Sequence, residues 1–510
     1  MAAIAARLGD QLRLLSGGRR TGPPKDRSLR AAVDWSYQLL SEQERRVFEG
    51  LSVFAGGFSL EAAEAVASSA AVAAPDVADL LGRLVDRSLV QRAQAGPSAG
   101  RYRLLEPLRR YGRERLTSRG QTEAARRRHL ALFLTLAEAA EPALRGPEQR
   151  TWLNRLEEER DNLGAALASA TALGEPDGGL RLAGALGPYW QPRGHFGEGR
   201  QRLRVALSTT RQASPARARA LVEAGSLAFF QCDYHDTLQR SEEALDLYRR
   251  AGDRWGVAYA LGKLGLAARE LGDRERARAA FEESLRLFQD LDDRWGVATA
   301  LGYLGFMAVA EGALDEAETA YAESLAWFRE RGDDTGVGMA LSSLGGLAAL
   351  RGDLGRAEEL LCQSLELTQA IGDRWGSARS LAHLARIAML RSQDRDAADL
   401  YQRALRVFGD LGDREDSAVC LEGLAELAAR GGRPGRAAEL FGAAEALRGR
   451  GTPFSLATID PMGYQGRVAA LRSQLGEESF SGAWALGRAL TLEQAHQFAL
   501  APDSPDAGER

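Results

Sequence analysis

The chain has 510 residues, 45% of them apolar, enough material to bury two or three cores. Its 66 basic and 70 acidic residues leave a formal net charge of -4, which excludes a chain-wide basic field for nucleic acid. Lysine occurs only at positions 25 and 263, so chemistry that needs an ammonium group has two candidates.

Residues 1–15 form an Arg-interrupted amphipathic stretch, expected as one helix, without the apolar run of a secretory signal. No later stretch reaches the ~18–20 apolar residues of a membrane span. A cytoplasmic protein with no membrane partner is therefore expected. Gly and Pro enrich residues 16–28, so residues 1–27 are assigned as an N-terminal helix and linker. Ser28 is expected to cap a helix through Leu40, and Ser41 with Glu44 forms a capping box for a second helix through Phe54. Gly56 and Gly57 break it, Ser59 opens a third helix to about Ala67, and Pro75-Asp76 open a fourth to Ser88. Residues 89–93 and 101–105 flank a Gly/Pro/Ser tip at 95–100 and predict a β-hairpin. Helices, a hairpin and a further helix describe a winged helix, placed at residues 28–118.

From Thr122 onward the pattern is helical. A helical junction is expected at 119–177, repeats at 178–448, a helical cap at 449–500 and a disordered tail at 501–510. The repeat is announced by Gly252-Asp253-Arg254-Trp255, Asp292-Asp293-Arg294-Trp295, Gly332-Asp333-Asp334-Thr335, Gly372-Asp373-Arg374-Trp375 and Gly412-Asp413-Arg414-Glu415, one every forty residues. Such a period signals stacked helix pairs, none of which can bury its apolar face alone. Within 252–291, Gly252 supplies a left-handed stop and Asp253 caps the next helix. Leu261, Leu264 and Ala268 form one inner stripe, and Ala277, Phe281, Leu285 and Phe288 form the matching one. Small residues at 265, 305, 345, 385 and 425 are expected to let paired helices approach closely. Trp255, Trp295 and Trp375 are expected to pack into neighbouring units.

Leu264-Gly265, Ala268, Gly272, Ala277 and Phe281 resemble, in order and spacing, the tetratricopeptide repeat, lengthened from its usual thirty-four residues by roughly two helical turns. The segments 28–37, 51–58, 84–90 and 102–106 resemble the winged helix of bacterial STAND-type signalling ATPases and transcriptional regulators. That resemblance implies a mainly α fold: an N-terminal winged helix followed by a right-handed α-α superhelix of tetratricopeptide repeats. It also implies an NTPase domain, which this sequence lacks. A P-loop requires Gly-Lys-Ser/Thr, whereas Lys25 precedes Asp26 and Lys263 precedes Leu264. An NTPase partner is therefore expected upstream or as a separate protein. Where relatives carry a nucleotide-sensing Met-His-Asp, Leu104, Leu105 and Glu106 stand here, so no nucleotide-binding residue is carried over.

Gly96-Pro97-Ser98-Ala99-Gly100 has the spacing of a hydrolase nucleophile but falls at a hairpin tip instead of a strand-to-helix elbow. Histidines 129, 195, 235, 383 and 496 show no metal-ligand spacing, and Cys232, Cys362 and Cys420 sit in helical patterns expected to bury them as reduced thiols. No catalytic residue, cofactor or metal ligand is assigned, and no enzyme is expected. The expected function is a regulatory module that binds a peptide or protein in the repeat groove, within a signalling or transcription-regulatory system. Counting outward from the inward leucines places Lys263, Leu266, Arg269, Tyr303, Phe306, His383 and Arg386 on that groove. The alternative is a DNA-binding regulator that uses the winged helix. The fourth helix carries Asp76, Asp79 and Asp86 against Arg83 and Arg87, which disfavours phosphate contact, whereas residues 101–128 hold ten arginines and three glutamates.

Overall fold

A computed structural model describes residues 24–93, 100–448 and 463–501. The expected helix at 1–15, the hairpin tip with most of the Gly-x-Ser-x-Gly pattern, the start of the cap region and residues 502–510 lie outside the described residues. Two compact units are present, one formed by residues up to 135 with 157–174, the other by 136–156 with the rest.

The first unit opens with α1 (Pro24–Gln38), α2 (Glu42–Leu51), α3 (Leu60–Ala67) and α4 (Ala74–Asp86). Helix α1 begins four residues before the expected Ser28 cap, because a proline is favourable in a first helical turn. The Ser41–Glu44 capping box and the Ser59 cap are present as expected. Strands β1 (Gln91–Arg92) and β2 (Tyr102–Arg103) pair antiparallel, and Phe58 bridges to Tyr102. Helix α5 (Glu106–Ser118) completes the winged helix. Its core holds fully buried Phe48, Phe54 and Phe58. Helices α6 (Thr122–Ala143), α7 (Gln149–Glu158) and α8 (Arg160–Leu173) follow. On α8, buried Asn162 accepts from the amides of Ala55 and Gly56 at 2.9 and 3.2 Å and donates to Gly57 O at 2.8 Å, satisfying the turn that the paired glycines make.

The second unit is helical throughout. Helices α9 (Pro176–Ala185), α10 (Gly187–Arg193), α11 (Phe196–Ser208), α12 (Pro215–Phe229) and α13 (Tyr234–Ala251) lead into the regular pairs. These are α14 (Arg254–Glu270) with α15 (Arg274–Asp290), α16 (Arg294–Ala310) with α17 (Leu314–Arg331), and α18 (Asp334–Leu350) with α19 (Leu354–Ile371). They continue as α20 (Arg374–Leu390) with α21 (Asp394–Leu411) and α22 (Arg414–Arg430) with α23 (Pro434–Leu447). Helices α24 (Gly463–Leu475), α25 (Glu477–Arg488) and α26 (Leu492–Leu500) close the array.

The recurring tetrapeptide is a joint between repeats. Gly252, Gly332, Gly372 and Gly412 end the preceding helices at φ of 70 to 74°, and Asp292 takes the same left-handed role at φ 51°. Each following aspartate caps its own helix, and three of them also receive the indole of the preceding repeat: Trp255 Nε1 donates to Asp293 at 2.6 Å, Trp295 to Asp333 and Trp375 to Asp413 at 2.9 Å. The motif arginines span the same joints, Arg254 to Asp290, Arg294 to Glu330 and Arg374 to Asp410. Small residues do the rest. A Cβ at Gly265 or Gly305 would stand 2.5 Å from the rings of Phe281 and Tyr321, so neither pair could close with a larger residue there.

The cysteines depart in part from expectation. Cys420 is buried and Cys232 half-buried, but Cys362 is exposed, on the outward face of α19 next to buried Leu361.

Candidate functional site

The winged helix offers the first candidate surface, and its arginines decide what it can do. Arg101 pairs with Glu159 at 2.5 Å and donates to Gly57 O at 2.9 Å. Arg109 donates to the carbonyls of Phe54 and Ala55, and Arg113 to that of Ser52. Arg115 bridges Asp34 and Tyr111, Arg119 holds Glu42 and the buried Glu49, and Arg128 reaches Val66 O. On and beside α4, Arg83 and Arg87 both face Glu44. The basic stretch is thus largely consumed by the unit's own carbonyls and carboxylates. Burial also pushes His129 down to about 4, so it stays neutral between the rings of Phe54 and Phe133.

The second candidate lies in the repeat array, where a cavity of about 280 Å³ is lined mainly by residues of α12, α14, α16, α18, α20 and α22, the first helices of successive pairs, with residues of α10, α13 and α17 and with Arg145 and Gln149. Lys263 lines it with its Nζ 3.4 Å from the Tyr303 hydroxyl and 5.2 Å from the Tyr259 ring. Burial works against its charge, but the hydroxyls of Tyr303 and Tyr259 and the carboxylate of Glu223 favour it, and the ammonium is held above its ordinary value. Leu266 and Tyr303 are buried on the same wall. The Phe306 ring has the guanidinium of Arg269 at 5.4 Å, that of Arg379 at 5.7 Å and the Tyr321 ring at 5.5 Å. Arg269 is paired to its neighbour Glu270. His383 is buried, and burial with the nearby Arg379 pushes it well below the usual histidine range, so it is neutral.

Six of the seven groove residues, Lys263, Leu266, Arg269, Tyr303, Phe306 and His383, therefore line one cavity. Arg386 does not; it pairs with Glu426 on α22 at 2.9 Å.

Residues not anticipated from sequence complete the wall. Arg379 lies 5.2 Å from the Trp375 ring and donates to Ser343 Oγ at 3.4 Å. Arg145 stands 4.9 Å from the Trp255 ring and 4.3 Å from that of Trp295. The signal for Arg379 was available: Trp375, Arg379 and His383 are four residues apart on one helix face, as are Trp255, Tyr259 and Lys263. Thr335 stands at the position held by Trp255, Trp295 and Trp375 in three other units, and Gln149 enters there, donating to Asp333 at 3.0 Å and accepting from the Thr335 amide at 3.0 Å. Asp373, which would receive the missing indole, is pushed by burial up to about 6. The break in the repeat thus coincides with the cavity wall.

Among the described residues no group of three His, Cys, Asp or Glu could hold a metal ion, and no helix is long and apolar enough to cross a membrane.

Comparison with known proteins fits both units. Residues 40–117 match the winged helix-turn-helix domain model, and residues 216–290 and 296–370 match the tetratricopeptide repeat model. The chain therefore joins a winged helix-turn-helix domain to a tetratricopeptide array. Over 89% of its length, and 64% of the other chain, its fold is similar to that of a Signal Transduction ATPase with Numerous Domains protein with a tetratricopeptide repeat sensor from Pyrococcus horikoshii, with a TM-score of 0.52 and 15% identity. A "Putative HTH-type transcriptional regulator" of Mycobacterium tuberculosis is 36% identical over 279 residues, 52% of this chain and 31% of the relative. An uncharacterized protein of the same organism is 36% identical over 127 residues, 25% of this chain and 32% of its own length. The chain spans about a third of the length of these curated relatives.

Proposed function

We propose that this chain is a regulatory binding module whose tetratricopeptide array receives a peptide or protein segment, within a cytoplasmic signalling or transcription-regulatory system. The carrying observation is a cavity on the first helices of successive pairs, which gathers six of the expected groove residues, aromatic walls and two cations, Lys263 and Arg379, that make no ion pair among the described residues. Aromatic rings beside charged anchors are what a partner's side chains use to gain affinity. The printed name of the mycobacterial relative supports the regulatory setting. The likeness to a STAND fold supports an NTPase, upstream or separate, as the element the module would control. Binding, not catalysis, is the proposed role.

Direct DNA binding by the winged helix is the lesser reading, because the arginines at 101–128 that would meet phosphates are committed to internal carboxylates and carbonyls. The test is selection of a displayed random-peptide library on the full chain, followed by capture with Lys263→Glu and, as a surface control, Arg127→Glu. Selected peptides should be lost with the first variant and kept with the second. Equal capture by both variants would remove the cavity as the binding surface.

A further inference from the structure

The cavity lining is polar in an unbalanced way. Its carboxylates are engaged: Asp333 accepts from Trp295, Gln149 and the Gly336 amide, and Asp413 accepts from Trp375 and the amides of Glu415 and Asp416. Glu415 accepts from the Tyr234 hydroxyl, and Glu270 holds Arg269. Two of its cations are not engaged in this way. Lys263 has only the long bond to Tyr303 and the face of Tyr259, and Arg379 only the long bond to Ser343 and the faces of Phe306 and Trp375. Neither makes an ion pair among the described residues.

Buried donors and acceptors add an independent mark. Ser226 Oγ, Ser342 Oγ and His383 Nδ1 are buried in this lining and have no hydrogen-bond partner among the described residues, although their side chains are 3%, 3% and 8% exposed. Buried polar atoms ordinarily have a partner, so these three could serve a polar ligand, although atoms in the same condition also occur elsewhere in the described residues. The rings of Tyr259, Trp295, Tyr303, Phe306 and Trp375 supply the apolar walls.

We infer that the cavity binds a carboxylate carrying a ring-sized apolar body, with Lys263 as its counter-charge and the aromatic walls, with Arg379 against them, around its ring. The inference rests on the reading of the array as the binding surface and names the chemistry received there. A volume of about 280 Å³ lies near the lower end for ligand pockets and suits one aromatic anchor, not a whole helix. A single negative charge is specified because Asp413, Glu415 and Asp416 share the lining and would repel a dianion. A ketone or amide in the same place would bring Lys263 no ion pair, leaving it the long bond to Tyr303 and the field of Glu223. The carboxylate is supplied either by a free aromatic acid or by the C-terminal residue of a peptide; the chemistry at the wall is the same.

The experiment is calorimetric titration of the full chain with phenylacetate and its neutral isostere phenylacetamide, and with an N-acetylated peptide ending in Phe as the free acid or the C-terminal amide. At least one acid should bind, with its amide weaker by about tenfold or more, the loss expected of a charge-assisted contact. Binding of phenylacetate identifies the free acid as sufficient, and binding of the peptide acid alone identifies the peptide terminus as the source. Lys263→Met and Arg379→Gln should each weaken the bound acid by about tenfold, with folding checked by circular dichroism. The acid-against-amide comparison needs no variant, so it decides the matter even if a variant misfolds. Equal affinity of acid and amide, no binding of either acid, or unchanged affinity in both variants would overturn the inference. If selected library peptides still depend on Lys263 while acid and amide bind alike, the carboxylate assignment fails and the broader binding role stands.

Discussion

The arginines of the winged helix and the cations of the repeat cavity are in opposite circumstances. Arg101, Arg109, Arg113, Arg115 and Arg119 end on carboxylates or carbonyls of their own unit. Lys263 and Arg379 end on a single long hydrogen bond each and on ring faces. A high density of basic residues therefore says little about what a surface binds until their partners are counted. Six of the ten arginines within residues 101–128, Arg101, Arg109, Arg113, Arg115, Arg119 and Arg128, hold the fold together, whereas Lys263, with no ion pair among the described residues, is where we propose that a ligand's charge enters.

The largest expected effect sets these two groups against each other. Arg119→Ala strips the nearest cation from Glu49, whose side chain is 2% exposed, and should cost about 3 kcal/mol by the rule for breaking a buried pair. Lys263→Met removes an ammonium with one long hydrogen bond and no ion pair among the described residues, and should cost about 1 kcal/mol, less than the loss at Arg119. Urea denaturation of the two variants measures both values, and a large loss at Lys263 would mean that it is structural.

The two units should also respond oppositely to pH. Hydrogen bonding from Arg119 lowers Glu42, so its contribution is present at neutral pH and lost as the pH falls through its depressed value. In the array, burial raises Asp373 to about 6 and Glu415 to about 7. A raised acid contributes stability that is full below its unfolded value and lost as the pH rises through the folded one. Hydrogen exchange at pH 5 and pH 7.5, corrected for intrinsic rates, should show the array loosening around Asp373 and Glu415 at the higher pH and the first unit tightening, because His129, held at about 4 when folded, charges on unfolding at pH 5. Asp373→Asn should remove part of this dependence, on the order of 1–3 kcal/mol at pH 7.5. An array that is as tight at pH 7.5 as at pH 5 would contradict the assignment.

The smallest effect belongs to Arg127, whose pairing with Glu123 at 3.7 Å is exposed on both sides. Arg127→Ala should move stability by less than about 0.5 kcal/mol in thermal melting.

Much of the fold was legible because the signals were local or periodic. The Ser41–Glu44 box, the Ser59 cap and the glycine stops act within four residues, and the forty-residue motif repeats its own evidence. Of the seven residues expected on the groove by counting from inward leucines, six line the cavity, whereas Arg386 is drawn aside by Glu426 on the next first helix. Arg379 was missed because it lies four residues before His383, on the stripe that starts at each tryptophan and not beside the leucines. Gln149 could not have been read: it meets Asp333 and Thr335 from 184 and 186 residues away, and no period links them. Cys362 was misplaced because its neighbour Leu361 carries the apolar stripe while the thiol turns outward.

The central claim is that the repeat cavity, and not the arginine-rich winged helix, is the working surface. Hydrogen exchange read by mass spectrometry follows α14 and α20, which line the cavity, and α4 and α5 of the winged helix within the same chain. Saturation with a peptide selected on the full chain should slow exchange in α14 and α20 and leave α4 and α5 unchanged. Protection confined to α4 and α5, or none along the cavity while the peptide is demonstrably bound, would contradict the account and place recognition elsewhere on the molecule.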